Sequence, residues 1–213
     1  MIRNINQPLT PSATVAANQR LIRPQFGAVS MHENGLNANY NAFTAKAERR
    51  FSSGFTLLSS FTWAHNIDYG NEDLLDGTPG NVTPYDMRRE KASSTLDRRL
   101  GFVTSAVYEL PFGRGRKYLT NGGPADWFLG GWQIGGLFSA SSGFMLSNSI
   151  NVNNQNLGGA VRGDWVRNPN LPVNERTIDR WFDTGFAVAS APGVVSNIGR
   201  NVIVGPGRKG FDA

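Results

Sequence analysis

From residue 40 onward apolar and polar positions alternate with a period of two, the mark of strands that turn one face toward an apolar medium. Between Tyr40 and Phe51, Phe43, Ala45 and Ala47 are apolar, whereas Thr44, Lys46, Glu48 and Arg50 are polar. Ser52-Ser53-Gly54 follows, a three-residue loop whose glycine can take the left-handed position of a bulged hairpin turn. Phe55 to Asn66 resumes the pattern, with Phe55, Leu57, Phe61 and Trp63 set against Thr56, Ser60 and Thr62. A fold at Ser53 brings Phe51 near Phe55, Ala45 near Phe61 and Phe43 near Trp63. One face is then apolar, and the other carries Lys46, Glu48, Arg50, Ser60 and Thr62.

A second pair of runs repeats the pattern. Leu100, Phe102, Ala106, Tyr108, Leu110 and Phe112 alternate with Arg99, Gly101, Val103, Ser105, Val107 and Glu109, with Thr104 breaking the apolar set. Pro111 lacks a donor and ends the strand. After a Gly-rich polar connection, Trp132, Ile134, Phe138 and Ala140 oppose Gln133, Gly135, Ser139 and Ser141, with Leu137 out of step. The glycines at 130, 131, 135 and 136 suggest bends or close approach. The pattern predicts strands over about 40–51, 55–66, 98–111 and 128–143, sequentially antiparallel, with turns at Ser53 and near Asn121 on one side.

The connections change the picture. Ile67 to Leu96 and Leu146 to about Pro206 are long and rich in Asn, Gly, Pro and Asp, so the order runs short, long, short, long. Compact soluble domains rarely hold such loops, whereas outer-membrane barrels put short turns on one side and long loops on the other. The expected fold class is therefore all-β: antiparallel up-and-down strands forming a partial segment of a large transmembrane β-barrel with long extracellular loops. Four strands cannot close a barrel when known ones start at about eight. Residues 1–36 read as the tail of a loop, and Gly210 to Ala213 as the first residues of a further strand. The chain is thus expected to be an internal piece of a larger barrel. The rival class is a secreted β-sandwich that binds carbohydrate through exposed tryptophans. It requires about seven strands with turn signals every 8–12 residues, which 145–205 does not supply cleanly.

Composition agrees. In 213 residues there are 25 Gly, 11 Pro and 21 Asn, and charged residues make up 17%, against roughly 25% in an average soluble domain. With no cysteine there is no disulfide framework and no thiolate metal site, and His32 and His65 alone cannot make a multi-His site. The net charge of +5 is spread out and gives no clustered basic face for nucleic acid. No stretch approaches the ~20 apolar residues of a membrane helix, and no apolar segment of a signal peptide follows Met1.

Several residue groups then point to one family. Asn39-Tyr-Asn-Ala-Phe43, Ala47-Glu-Arg-Arg-Phe-Ser-Ser-Gly-Phe55 and Ser60-Phe-Thr-Trp63 resemble the barrel of Oar-like TonB-dependent transporters. Further along, Tyr108-Glu-Leu-Pro-Phe-Gly-Arg-Gly-Arg116, Leu129-Gly-Gly-Trp-Gln133, Ser142-Gly143, Asp179-Arg-Trp-Phe182, Gly199-Arg-Asn201 and Gly205-Pro-Gly207 fit the same family. The resemblance covers most of residues 20–213 and rests on the order and spacing of these groups together. It implies a barrel of about twenty-two strands in the bacterial outer membrane, filled by a plug and energised by the inner-membrane TonB complex. The expected partners are outer-membrane lipid, the remainder of the barrel and plug, and the TonB complex through an N-terminal part absent from this chain. The substrate is unspecified.

Candidate chemistry weakens under inspection. Asp68, Glu72, Asp73 and Asp76, with Asn66 and Asn71, offer oxygen ligands that can hold Ca²⁺. They match no EF-hand pattern, so a solvated loop is expected. Arg114, Arg116 and Lys117 alternate with Gly113 and Gly115, but no helix follows to make a phosphate loop, so a solvated periplasmic turn is expected. Asp86-Met-Arg-Arg-Glu90 and Asp97-Arg-Arg99 read as local ion pairing at a strand entrance, with Arg99 in the inward set. His65 has no second histidine nearby, and Ser139, Ser141 and Ser142 have no histidine base in their segment. No enzymatic activity and no catalytic, cofactor-binding or metal residue is expected. Trp63, Tyr108, Phe112, Trp127 and Trp132 near strand ends would form aromatic girdles.

Overall fold

The computed structural model describes residues 2–32, 34–52, 54–70, 82–118 and 124–213. In chain order the elements are β1 (Ile2–Asn4), β2 (Ser30–His32), β3 (Asn39–Ser52), β4 (Phe55–Asp68), β5 (Ala92–Ser93) and β6 (Leu100–Glu109). Then follow α1 (Pro124–Leu129), β7 (Gln133–Ser141), β8 (Met145–Leu146), β9 (Asp164–Trp165), β10 (Ala187–Val188), β11 (Ile203–Val204) and β12 (Arg208–Asp212). The fold is all-β and antiparallel, and among the described residues no helix is long and apolar enough to cross a membrane.

One sheet dominates, in the order β12-β7-β6-β4-β3, with β5 added beside the end of β4. It is a single open layer with β3 and β12 at its edges, where a sandwich would need a second packed sheet. The strands pair in the order in which they follow along the chain, so successive connections alternate between the two ends of the sheet. The strands β6 and β7 have 10 and 9 residues, matching the ~9–11 of a tilted transmembrane strand. At 14 residues each, β3 and β4 are longer.

Of Gly210 to Ala213, expected to begin a further strand, Gly210 to Asp212 lie in β12 and pair with β7. Two expectations need correction. The fourth strand was expected from 128, but Pro124–Leu129 is helical and the strand starts at Gln133. Proline suits the first turn of a helix, and Gly131 at φ 76° ends the segment, so Trp127, Phe128 and Leu129 are held out of the ladder. The second correction concerns 146–206. It is not loop alone: β8 pairs with β11 and β9 with β10. Similarly, β1 pairs with β2 within residues 1–36. The turn at Ser53 and the one near Asn121 lie outside the described residues, although Gly54 does take φ 76°.

The chain divides into two compact units. The strand unit comprises 42–64, 98–143 and 207–213. The loop unit comprises 1–41, 65–97 and 144–206. Its apolar centre is Phe186, Ile198 and Ile203, with Phe182, Ala187 and Val202 packed on them. Trp165 and Phe182 meet Phe186 edge-on, with ring centroids 5.9 and 6.4 Å away.

Candidate functional site

In the strand unit, register decides which side chains share a face. Phe61 lies opposite Phe102, Trp63 opposite Leu100 and Phe55 opposite Tyr108. Across the next pair, Tyr108 faces Ile134, Thr104 faces Phe138 and Phe102 faces Ala140, and Phe138 faces Phe211. These form one apolar face, knitted by Phe55–Tyr108 and Phe102–Phe138 ring contacts at 6.5 and 6.1 Å. It is thin at its centre, where Ser59, Thr104 and Gly136 sit. There the Phe211 ring fills the gap: a Cβ on Gly136 would lie 3.4 Å from it.

The opposite face is polar at both ends. The hydroxyls of Thr44 and Thr62 lie 3.4 Å apart, which places Lys46, Glu48 and Arg50 of β3 on the Thr62 side. Gln133 donates to Glu109 at 2.8 Å, Arg116 pairs with the same carboxylate, and Arg98 donates to Ser141 at 3.2 Å. Arg99 precedes β6, its carbonyl accepting from the Ala64 N–H. Leu58, Val103, Val107 and Leu137 break the polar set at mid-strand.

The loop unit contains what the sequence did not announce: charge in its interior. Arg162 donates to Glu90 at 2.6 Å, with both side chains almost wholly buried. The other Glu90 oxygen accepts the Val82 N–H at 2.8 Å. Arg200 pairs with Asp68 and also donates to the Asp68 and Glu90 carbonyls at 3.2 and 3.3 Å. Asp97, also buried, takes the Asn66 N–H at 2.8 Å and lies 3.0 Å from His65 Nδ1. Buried charges persist only when paired and hydrogen-bonded, and each carboxylate here has at least two partners. The network ties the end of β4 to segments near residues 82, 90, 162 and 200. A signal did exist: single arginines flanked by glycine and small or branched apolar residues, in Ala160-Val-Arg162-Gly163 and Ile198-Gly-Arg200.

Polar side chains also stand in for a ladder. Asn6 donates to the carbonyls of Arg23, Phe26 and Gly27 and accepts the Arg23 N–H. Arg20 reaches the carbonyls of Thr10, Val15 and Asn156, and Gln155 accepts both the N–H and the hydroxyl of Ser196. Beside this network, Val82, Arg89, Arg162, Ser196 and Ile198 line a cleft of 230 Å³. Its arginines already face carboxylates, Arg89 on Asp86 and Arg162 on Glu90.

The candidate groups resolve as follows. Asp68, expected in a solvated loop, is buried against Arg200, while Glu72, Asp73 and Asp76 lie outside the described residues. Among the described residues no three His, Asp or Glu side chains come close enough to hold a metal. Arg89 pairs locally with Asp86 at 3.1 Å, as expected of a strand entrance, but Glu90 reaches 72 residues along the chain to Arg162. Arg116 joins Glu109, and Lys117 lies over the Tyr118 ring at 5.4 Å. Ser142 accepts the Leu100 N–H and Ser141 holds Arg98, so both serve strand pairing.

Compared with known proteins, the whole chain, residues 1–213, matches the family described as Outer membrane beta barrel domain. No curated protein and no solved structure matches it.

Proposed function

Because the chain belongs to the outer-membrane β-barrel domain family, and so to the bacterial outer membrane, we propose that it is part of a TonB-dependent transporter or receptor of the Oar-like kind. In this reading the Phe61–Phe102–Phe138 face meets lipid and the Lys46, Glu48, Arg50, Arg99 and Glu109 face lines the lumen. The loop unit is the outer, substrate-facing part. A plug and the TonB complex complete the machine, and the chain itself catalyses no reaction.

The observation that carries this reading is the internal packing of the long connections, held by the Glu90–Arg162 and Asp68–Arg200 pairs. Loops ordered in this way suit a receptor, which gains affinity by presenting its binding groups already fixed in place.

Conductance tests it. The protein extracted from membranes and inserted in planar bilayers should pass little potassium chloride current until urea loosens the plug. Steady conduction without urea would sink the transporter reading and leave an open barrel.

A further inference from the structure

The cleft in the loop unit, at 230 Å³, exceeds the ~150 Å³ cavity that takes up a benzene ring. It has room for a short branched chain with a polar head. Its charge is one-sided. Arg89 and Arg162 both line it, whereas Asp86 and Glu90, the carboxylates that pair with them, are not among its described lining residues. The cleft thus meets the cationic half of each pair. Glu90 holds Arg162 almost wholly buried, which fixes one wall. Arg89 is exposed and has donors left to give. Its Nε donates to Asp86 at 3.1 Å and one Nη to the Ser196 carbonyl at 2.9 Å, out of the five N–H groups that a guanidinium carries. Asn197, which also lines the cleft, has its Oδ1 engaged by the Trp165 N–H at 2.9 Å, so its amide group is what it offers a ligand. Both Ser196 oxygens are taken, the carbonyl by Arg89 and the hydroxyl by Gln155. Val82 and Ile198 supply an apolar wall.

We propose that this cleft binds a small aliphatic carboxylate, with its oxygens on Arg89 and Asn197 and its hydrocarbon against Val82 and Ile198. The remaining polar groups are donors, so they call for an acceptor. An ionised one suits them best, because charge-assisted bonds are about twice as strong as neutral ones and a guanidinium fork matches a carboxylate. A cationic ligand would meet two guanidiniums instead. The apolar wall then favours a carboxylate with a chain over a bare anion. The site lies wholly within the loop unit, so it depends neither on the lipid-facing assignment of the sheet nor on coupling to TonB.

The probe is isovalerate carrying a trifluoromethyl group, followed by fluorine NMR line broadening with the full-length chain in detergent micelles. The carboxylate should broaden, and its primary amide, of the same shape, should not. Arg89→Gln should weaken binding by at least about tenfold, the loss expected of a hydrogen bond to a charged group, and Arg89→Lys should recover part of it. Gly199 gives an independent variant. It lines the cleft, and a Cβ there meets no atom within 4 Å, so Gly199→Leu adds bulk to the wall without a clash and should abolish binding. Unchanged trypsin resistance of the loops would show that the variants keep their fold. No broadening of the carboxylate with the unaltered protein would overturn the site. Equal broadening of the amide would mean adsorption through the apolar part alone, and would overturn it too. Binding unchanged in Arg89→Gln or in Gly199→Leu would place the probe elsewhere. Displacement by inorganic phosphate as readily as by unlabelled isovalerate would make this a site for any anion and overturn the carboxylate class.

Discussion

The buried charged side chains among the described residues, Asp68, Glu90, Asp97, Arg162 and Arg200, all belong to the loop unit, as do the buried hydrophobic ones apart from Ala64. The strand unit has the regular ladder and almost no interior, and it leaves Phe43, Trp63, Leu100, Ile134 and Phe211 exposed. In water that division would be backwards, since regular sheets normally exist to cover an apolar core. In a bilayer it is what physics requires. Hydrocarbon replaces the missing second layer, and the backbone must be satisfied by strand pairing because lipid offers no partner. The loop unit meets water, which competes for every polar group. Beside its apolar centre, it holds its shape by taking charged groups out of contact with water and pairing them with one another.

The sharpest way to break the comparison is to remove the lipid. Without lipid or detergent the chain by itself should aggregate, because both edges of the sheet, β3 and β12, present unpaired backbone groups and its apolar face has no cover. A soluble monomer with one reversible unfolding transition would show that the strand unit has a self-sufficient core after all. Next in size is Glu90→Ala, which strands the buried Arg162 charge. Breaking a buried pair from one side costs about 3–5 kcal/mol. Trypsin should then cut within 82–97 and 144–206 while the strands stay protected. The double change Glu90→Met with Arg162→Met removes both charges and should restore much of the resistance. If it behaves no better than the single variant, packing rather than charge pairing holds the loops.

The two regions also differed in how far their sequences could be read. Period-two alternation marks a strand residue by residue, so Phe55 to Trp63 and Leu100 to Tyr108 disclose both element and face. The start of β7 was misread because Trp127-Phe-Leu129 is a short apolar run, and such a run is strand-like or helix-like according to its brackets. Here the brackets are Pro124 and the Gly130-Gly131 pair. In the loop unit nothing repeats. Asp68 looked like part of a solvated acidic loop because its partner, Arg200, lies 132 residues away. Asn6 satisfies carbonyls up to 21 residues distant, again with no local pattern. Order made from single long-range side-chain bonds leaves composition as its trace, and the asparagine content was that trace.

A third test compares the two faces of the strand unit. Phe138 lies mid-strand on the apolar face, and Ser139 follows it on the other. Arginine facing the bilayer midplane costs about 2–4 kcal/mol, so Phe138→Arg should weaken folding into vesicles by that amount. Ser139→Arg should change it by less than ~1 kcal/mol, because a lumen-facing guanidinium keeps its water. Equal costs, measured by urea titration of the vesicle-inserted protein, would mean that neither face is the lipid side.

The smallest expected effect tests whether the strand unit borrows any of the loop unit's device. Trp132 does so in miniature: its indole N–H holds the Phe128 carbonyl, a single side-chain bond fixing a segment with no ladder of its own. Trp132→Phe keeps the ring and the apolar face but removes the donor. A net hydrogen bond of this kind is worth about 1 kcal/mol, and because the site is exposed water can replace it in part. Stability of the sheet should therefore be nearly unchanged. Amide exchange at Leu129 to Gly131, by contrast, should quicken by about fivefold, the factor that ~1 kcal/mol of local opening implies. Unchanged exchange there would mean that the bond from the Gly131 N–H to the Phe112 carbonyl alone anchors α1. Loss of global stability would mean that the indole helps to pack the sheet, and the contrast between ladder-held and side-chain-held regions would be less sharp than the buried charges suggest.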